Sequence, residues 1–249
     1  MEKRKPFQGV LNILSFNRHF YFFGLLVLTL LIISRLYINW SNTIFWIVVI
    51  IFIYGLVMPL IVSAWVYDFS GYYKFKWLDP LVKKREAPKE IANIHAGFDE
   101  TSFILKEKFP GSDLKVFDFY NYKRHTEPAI VRARRVSWHY PNTQVITSNS
   151  IPLTEASLDY VFLLSAVHEI RSNEEKVEFL KECYRVCKPE GKVIMVEHIR
   201  DLPNFIAFTV GFTHFFSRST WKKAFKSAGF TNCEERKFTP FMSVFTSSR

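Results

Sequence analysis

The sequence predicts an α/β domain on a doubly wound, mostly parallel sheet, preceded by a transmembrane helical hairpin. Two observations predict the sheet: short apolar runs alternate with segments of helical spacing, and the runs lack the period-2 alternation of half-exposed strands. The third observation predicts the membrane segment. Residues 44–64 carry no charge, over about the 20 residues that a helix needs to cross a bilayer core.

The stretch 158–201 shows the repeating unit of the domain. It opens with an apolar run at 160–167, continues with helical spacing, turns at Pro189-Glu190-Gly191 and closes with an apolar run at 193–196. Apolar runs without alternation are typical of parallel strands buried on both faces. The stretch therefore predicts a strand, a crossover helix and a second strand.

Polar side chains follow both of these strands. His168 and Glu169 follow the first run, and Glu197 and His198 follow the second. In open α/β sheets, ligands bind beyond the carboxyl ends of the strands. We therefore expect the chemistry of the protein at this edge.

The same stretch resembles the fourth and fifth strands of class I S-adenosylmethionine-dependent methyltransferases. The matching features are LDYV at the start, AVHEI at the strand exit, the run FLKECYRVCKPEGKVIMVE, and SRSTWKKAFKSAGF further on. The resemblance implies a Rossmann-like fold with seven strands, the last two forming an antiparallel edge, and S-adenosylmethionine as the cofactor.

The rest of the domain alternates as this fold requires. Strands are predicted at 90–96, 114–119, 144–148, 160–167, 193–197, 234–238 and 242–246. Helices are predicted at 100–109, 127–136, 174–187 and 220–228.

The resemblance places a glycine-rich cofactor loop after the first strand, at 93–100. The family usually has three glycines there, whereas this sequence keeps Gly97 between His95 and Asp99. Taken alone, one glycine between a strand and a helix more often marks a turn than a cofactor site. Two alternatives follow: the loop binds cofactor with substituted residues, or the domain has lost binding.

Further residues are also cofactor candidates. Asp118 ends the second strand about 20 residues after Gly97, where an acid accepts hydrogen bonds from ribose hydroxyls; the alternative is a solvated strand-end acid. The resemblance implies that Asn149 or Ser148 reaches the adenine amine and that Ser165 and Val167 flank the cofactor.

The acceptor candidates are His168, Glu169 and His198. A base is needed when the methyl acceptor is a hydroxyl or an acidic carbon, and His168 either serves as this base or caps a helix. The apolar segment 205–216, which includes His214, is either an acceptor lid or part of the core. No zinc-ligand spacing is present, so no metal is expected.

The N-terminal part predicts two spans, 20–40 and 44–64, with Arg35 between uncharged runs. Basic residues flank the pair on both outer sides, so the positive-inside rule predicts a multi-pass inner-membrane protein with both termini and the domain in the cytoplasm. Three cysteines without a paired framework fit a reducing compartment.

These features divide the chain into residues 1–66 as the membrane anchor, 67–89 as a linker along the membrane surface, and 90–249 as the methyltransferase-like domain. A net charge of +10 beside apolar segments favours lipid as the partner over nucleic acid, and no pattern specifies an oligomeric state. The predicted function is methylation of a lipophilic small-molecule acceptor at the cytoplasmic membrane face. The alternative is a degenerate, non-catalytic module that binds a partner or ligand at the membrane.

Overall fold

The computed structural model describes residues 4–82, 88–125 and 127–249 and contains one seven-stranded sheet. The strands are β1 (Glu90–His95), β2 (Asp113–Asp118), β3 (Gln144–Val145), β4 (Leu158–Leu164), β5 (Cys187–His198), β6 (Asn232–Lys237) and β7 (Met242–Ser248). Their order is β3-β2-β1-β4-β5-β7-β6. The first five are parallel, and β7 runs antiparallel to β5 and β6. The predicted α/β fold of the domain, with its doubly wound, mostly parallel sheet and antiparallel edge, is confirmed.

Eight α-helices accompany the sheet in the described part of the chain. They are α1 (Gln8–Phe16), α2 (Arg18–Ser34), α3 (Asn42–Ala64), α4 (Ser102–Lys108), α5 (Pro128–Ala133), α6 (Asn173–Val186), α7 (Leu202–Phe208) and α8 (Arg218–Ser227). The four predicted domain helices correspond to α4, α5, α6 and α8. The segment 205–216 was not predicted as helical, yet it comprises most of α7 and the 3₁₀ helix Thr209–His214.

One face of the sheet is covered by α6 and α8. Phe179 of α6 and Trp221 and Phe225 of α8 are fully buried with Val161 and Met195 of the central strands. Each helix starts with a capping serine: Ser172 accepts from the Glu175 N–H, and Ser217 accepts from the Thr220 N–H. The helix-covered face therefore follows from the sequence pattern.

The other face is covered by the segment that follows α3. Tyr72, Phe75 and Leu78 are buried there and pack in one cluster with Phe162 and Ile194 of the sheet. The prediction that the aromatic side chains of the linker lie at the membrane surface is wrong for these residues. The physical reason is that this sheet face needs an apolar cover, and the segment supplies it.

The apolar helices α2 and α3 lie largely outside this core, which α3 joins through Val62 near its C-terminal end. No residue of α2 is buried, and most large apolar side chains of α3 are exposed. By length and composition, one helix, Asn42–Lys74, could cross a membrane, and a second span arises only if α1 and α2, bent by 72°, count as one. The basic residues 83–85, used for the topology prediction, lie outside the described residues.

The first predicted span ends earlier than expected. Helix α2 stops at Ser34, and Arg35 Nη1 donates to the Trp40 carbonyl at 2.9 Å. Arg35 also contacts the Asn42 side chain. These contacts fold residues 35–41 into a tight connection between α2 and α3.

Candidate functional site

The turn between β1 and α4 is built around Gly97. Its φ is +83°, a left-handed conformation that favours glycine, and a Cβ there would lie 1.9 Å from Arg134 Nη1. The Gly97 N–H donates to His95 Nδ1 at 3.0 Å. Burial lowers the pKa of His95, and its Nε2 is buried without a hydrogen-bond partner among the described residues. The turn thus presents one unpaired imidazole nitrogen.

Asp99, a predicted cofactor residue, serves the start of α4. Its Oδ1 accepts the backbone N–H of Thr101 at 2.8 Å and of Ser102 at 3.0 Å. The side-chain amide of Asn93 donates to the hydroxyls of the same two residues, Thr101 at 2.9 Å and Ser102 at 2.8 Å. The Asp99 carboxylate therefore closes the first turn of the helix, and only its buried Oδ2 has no partner in the described part of the chain.

Asp118 lies beside this turn because β1 and β2 pair in register, with His95 opposite Asp118. Its Oδ1 accepts the Tyr120 N–H at 2.8 Å, and its Oδ2 accepts from Arg134 Nη1 at 3.0 Å. The Arg134 guanidinium lies over the Tyr120 ring at 3.9 Å. His95, Gly97 and Asp118 are thus brought together, with Arg134 lying across them.

Asn149 and Ser165 make their side-chain hydrogen bonds outside this group. Asn149 is exposed in the turn after β3, where its Oδ1 accepts from the Thr147 hydroxyl at 2.7 Å. Ser165 follows β4 with φ +54°, and its Oγ lies 3.2 Å from the Tyr72 hydroxyl. Ser165 is at the strand end where the resemblance places it, whereas no contact joins Asn149 to Asp118 among the described residues.

Glu100 is a buried hub that the sequence analysis missed. Its carboxylate accepts from Gln8 at 2.5 Å, Asn12 at 2.9 Å and Tyr73 at 2.7 Å, and it pairs with Arg4. These bonds fasten α1 over the β1–α4 turn. The polar residues Gln8 and Asn12, four positions apart on an otherwise apolar helix, are the signal that could have revealed the contact.

Helix α1 also makes an apolar contact with the turn. The rings of Phe16 and Phe98 meet edge to face with centroids 5.4 Å apart. Phe16 packs with Ile130 and Ala133 of α5 as well. The first described helix therefore closes one side of the candidate cofactor site.

A second group lies at the ends of β4 and β5, where Glu197 makes two hydrogen bonds with His168 and one with Val167. Glu197 Oε2 is 2.7 Å from His168 Nδ1, and Oε1 accepts the N–H groups of Val167 at 2.8 Å and His168 at 3.2 Å. The Glu197 side chain is 1% exposed and that of His168 is 19% exposed. The imidazole is thus fixed in orientation, with Nε2 turned away from Glu197.

The charge state of His168 follows from this pairing. Burial disfavours the imidazolium, but the charge and hydrogen bond of Glu197, with a smaller contribution from Glu169, raise the pKa of His168 to about 9. The strand edge therefore favours a positive charge at this position.

Glu169 and His214 complete this group. Ligand atoms of His168, Glu169 and His214 all lie within 4.8 Å of one another. His168 Nε2 is 3.5 Å from Glu169 Oε1, and the rings of His168 and His214 have centroids 5.1 Å apart. We call these three residues the His-Glu-His cluster. Sequence reasoning expected no metal site, yet this set of side chains could hold a metal ion.

His198, predicted as a catalytic candidate, is enclosed instead. Its Nε2 is 2.9 Å from the Tyr67 hydroxyl, its Nδ1 is 3.0 Å from the Phe241 carbonyl, and its ring stacks on Phe215 at 4.8 Å. Burial lowers the pKa of His198 to about 4. Both ring nitrogens of His198 are hydrogen-bonded, so the neutral ring has a structural role. His198 is not part of the His-Glu-His cluster.

An apolar groove of about 810 Å³ lies between α2, α3 and α7. Phe23 and Leu56 line it on one side and Phe205, Ile206 and Val210 on the other. The Tyr54 hydroxyl donates to the Ile206 carbonyl at 2.7 Å, which ties α7 to α3. Helix α7 and the 3₁₀ helix that ends at His214 therefore form one wall of this apolar groove.

Comparison with known proteins agrees with this geometry. Residues 123–195 match the family described as a methyltransferase domain, Methyltransf_11. The match is shorter than half of the chain; it includes His168 and Glu169 and ends before Glu197. No curated protein matches the chain significantly.

Three solved structures are similar in fold. Human N-acetylserotonin methyltransferase in complex with SAM has a TM-score of 0.51 at 13% identity, covering 79% of this chain and 55% of that one. A proposed O-methyltransferase from Nostoc punctiforme has 0.53 at 13%, covering 79% and 60%. PigF with SAH has 0.50 at 14%, covering 78% and 59%. The chain thus spans little more than half the length of these proteins and shares with them the Rossmann-like methyltransferase fold.

Proposed function

We propose that the protein is an S-adenosylmethionine-dependent methyltransferase. The observation that carries the proposal is the placement of two groups on one sheet edge: Gly97 and Asp118 at the ends of β1 and β2, and the Glu197-held His168 beyond β4. Since β4 is the neighbour of β1, a donor bound at the first group faces an acceptor at the second. The order of strands reverses between β1 and β4, which is where open α/β sheets bind ligands.

The residues around Gly97 fit the cofactor. Gly97 adds no side chain at the point of closest approach, His95 offers an unpaired buried nitrogen, and Asp118 offers carboxylate oxygens for ribose hydroxyls. When bound, S-adenosylmethionine supplies a methyl group on a sulfonium. Arg134 has to leave Gly97 for the cofactor to enter, and its side chain is 36% exposed, so it is free to swing outward.

The His-Glu-His cluster contacts the polar group of the acceptor. Methyl transfer to a hydroxyl forms the O–CH₃ bond and breaks the S–CH₃ bond, and the hydroxyl proton passes to the carboxylate of Glu169, so the acceptor oxygen needs charge stabilisation as it reacts. His168, fixed by Glu197, presents Nε2 for that contact. Alignment of donor and acceptor accounts for most of the remaining rate.

We propose further that the acceptor is lipophilic and that α2 and α3 anchor the protein in the cytoplasmic membrane, with both termini in the cytoplasm. The apolar groove supports a lipophilic acceptor, since it opens beside the helices that would lie in lipid. Val210, which lines the groove, is 70% exposed, and Leu202 at the start of α7 is 68% exposed, which suits contact with lipid rather than water.

The test uses the full-length protein in lipid discs, because residues 62–82 supply part of the sheet cover and a shortened chain would lose it. Calorimetry should detect S-adenosylhomocysteine binding at one site per chain. Methyl incorporation from labelled cofactor should then favour bilayer-borne phenols or quinols over water-soluble analogues. Equal use of both acceptors would reject the lipophilic substrate but leave the methyltransferase assignment intact.

A second function is favoured by Arg134. Its guanidinium fills the space at Gly97 and pairs with Asp118, as expected of a domain that has lost its cofactor and binds another ligand or partner at the membrane. The same calorimetry separates the two functions. Absence of binding by both S-adenosylmethionine and S-adenosylhomocysteine, in protein with a cooperative unfolding transition, supports the non-catalytic module.

A further inference from the structure

We propose that His168, Glu169 and His214 form a binding site for a divalent transition-metal ion. The three side chains come from two parts of the chain, the loop after β4 and the 3₁₀ helix after α7, and the fold brings them together. The inference concerns metal binding and does not depend on methyl transfer.

The spacing of the ligand atoms suits one ion. Two ligands each about 2.1 Å from a metal lie about 3.0 to 3.5 Å apart in tetrahedral or octahedral geometry. His168 Nε2 and Glu169 Oε1 are 3.5 Å apart, and the three ligand atoms lie within 4.8 Å. A side-chain rotation of His214 would bring the third ligand atom to the spacing that one ion requires.

Both histidines are prepared as metal ligands by a carboxylate on the other ring nitrogen. Glu197 Oε2 lies 2.7 Å from Nδ1 of His168, and Glu127 Oε2 lies 3.2 Å from Nδ1 of His214. Metal-binding histidines almost always donate their second N–H to such a partner, which fixes the tautomer and raises the basicity of the ligating nitrogen. Each Nε2 is thereby left to bind the ion.

The charge balance also calls for a cation. Metal binding requires both imidazoles to be neutral, and the three carboxylates Glu127, Glu169 and Glu197 around them then outnumber the two cations that act on them, Arg171 and Lys176. Arg171 Nη1 donates to the carbonyls of His168 at 3.1 Å and His214 at 2.8 Å, so it holds both backbones. A divalent ion would neutralise the remaining excess.

The donor set selects the kind of metal. Two imidazoles and one carboxylate suit Zn²⁺, Co²⁺, Mn²⁺ or Fe²⁺, whereas Mg²⁺ and Ca²⁺ prefer oxygen ligands alone. Three protein ligands leave positions open for water or for an oxygen of a substrate, so with the ion bound the acceptor oxygen would contact the metal in place of His168 Nε2. The His168 and His214 side chains are 19% and 30% exposed, which gives the ion a path from solvent.

The test is a Co²⁺ titration of untagged, chelator-treated full-length protein in detergent, without cofactor. Visible absorption should saturate at one Co²⁺ per chain, and Zn²⁺ should abolish the bands. Removing one ligand in His214→Ala or Glu169→Gln should weaken Co²⁺ binding by about 100-fold or more, and Glu127→Gln, which removes only the partner of His214, by about 10- to 100-fold. Glu169→Gln preserves side-chain size, so it remains informative if a histidine variant misfolds.

His139→Ala is the matched control, because His139 is exposed and its Nδ1 lies 3.1 Å from the Ser137 carbonyl, away from the His-Glu-His cluster. It should bind Co²⁺ as the unmodified protein does. Absence of saturable Co²⁺ bands, or equal affinity in the unmodified, His214→Ala and Glu169→Gln proteins, would overturn the proposal. Loss of methyl transfer with intact Co²⁺ binding would instead count against the proposed function alone.

Discussion

Glu197 and His168 form a close side-chain pair at the sheet edge, with Oε2 and Nδ1 2.7 Å apart and the carboxylate almost fully buried. The backbone N–H groups of Val167 and His168 also donate to Glu197, so the loop after β4 fixes the carboxylate that orients the His168 ring. The pair therefore couples the end of β5 to the loop after β4.

Glu197→Gln should lower the pKa of His168. Burial opposes the imidazolium, and the charge of Glu197 is the main influence that offsets it, so the neutral amide leaves burial dominant. NMR titration of labelled histidine in chelator-treated protein should show a midpoint near 9 in the unmodified chain and a clearly lower one in the variant. Glu178→Gln, at an exposed position of α6, is the control, and an unchanged His168 midpoint in Glu197→Gln would contradict the prediction.

Asp118→Asn should weaken S-adenosylhomocysteine binding by about 1 to 3 kcal/mol, the range for a lost charge-assisted hydrogen bond. The carboxylate lies at the end of β2, opposite His95. Calorimetry in lipid discs measures the change. Asp113→Asn at the other end of the same strand is the control, since Asp113 is exposed and should not contact cofactor. Equal affinities in the two variants would place the cofactor elsewhere.

Gly97→Ala should abolish cofactor binding and lower stability by about 1 to 2 kcal/mol, because a left-handed backbone strains an alanine. The added Cβ would also displace Arg134. Thermal unfolding and calorimetry measure the two effects. Gly111→Ala is the control, as a Cβ there meets nothing within 4 Å and its φ is not positive. Unfolding at the same temperature in both variants would show that the turn tolerates a side chain.

Stability should fall as the pH drops from about 6.5 towards 4 because of His198. Burial lowers its folded-state pKa to about 4, so the unfolded chain binds the proton first, and the contribution present above pH 6.5 is lost on acidification. The shift in the pKa of His198 corresponds to a loss of about 3 kcal/mol in the free energy of unfolding. Three ionisable groups act on the ring: Tyr67, Glu197 and His168. His168, whose folded pKa is raised, keeps its own stabilising contribution below pH 6.5 and loses it only towards pH 9.

Denaturant titrations at several pH values test this. His198→Gln removes the titrating group and should be less stable at pH 7, with a shallower decrease between pH 6.5 and 4 than the unmodified protein. Parallel curves for the two proteins would show that His198 does not titrate in this range.

The sequence predicted the sheet well because buried parallel strands leave a direct signal. Apolar runs such as 160–167 have no other place in a domain of this size, and β4 begins within two residues of the predicted start. The prediction that the segment 68–82 lies along the membrane surface was wrong for Tyr72 and Phe75, because aromatic residues suit both a headgroup layer and a sheet face. Which surface they cover depends on how the chain turns after α3, and no local pattern specifies that.

The site was predicted in part for a similar reason. His168 and Glu169 follow a strand directly, so their place at the sheet edge is local information. The meeting of His214 with His168 depends on the path of α7, and the role of Glu100 depends on α1 folding back across the turn. His198 follows a strand as His168 does, but its side chain points to the opposite, enclosed side.

Helices α1 and α2 are separated only by Asn17, and their axes differ by 72°. Gln8 and Asn12 bind α1 to Glu100, close to the turn that contains Gly97. A change in the tilt of α2 would therefore be passed through α1 to this turn. A helix in a bilayer changes its tilt with the thickness of the hydrocarbon layer. If α2 is embedded in the membrane as proposed, the thickness of the bilayer would influence the position of the cofactor loop.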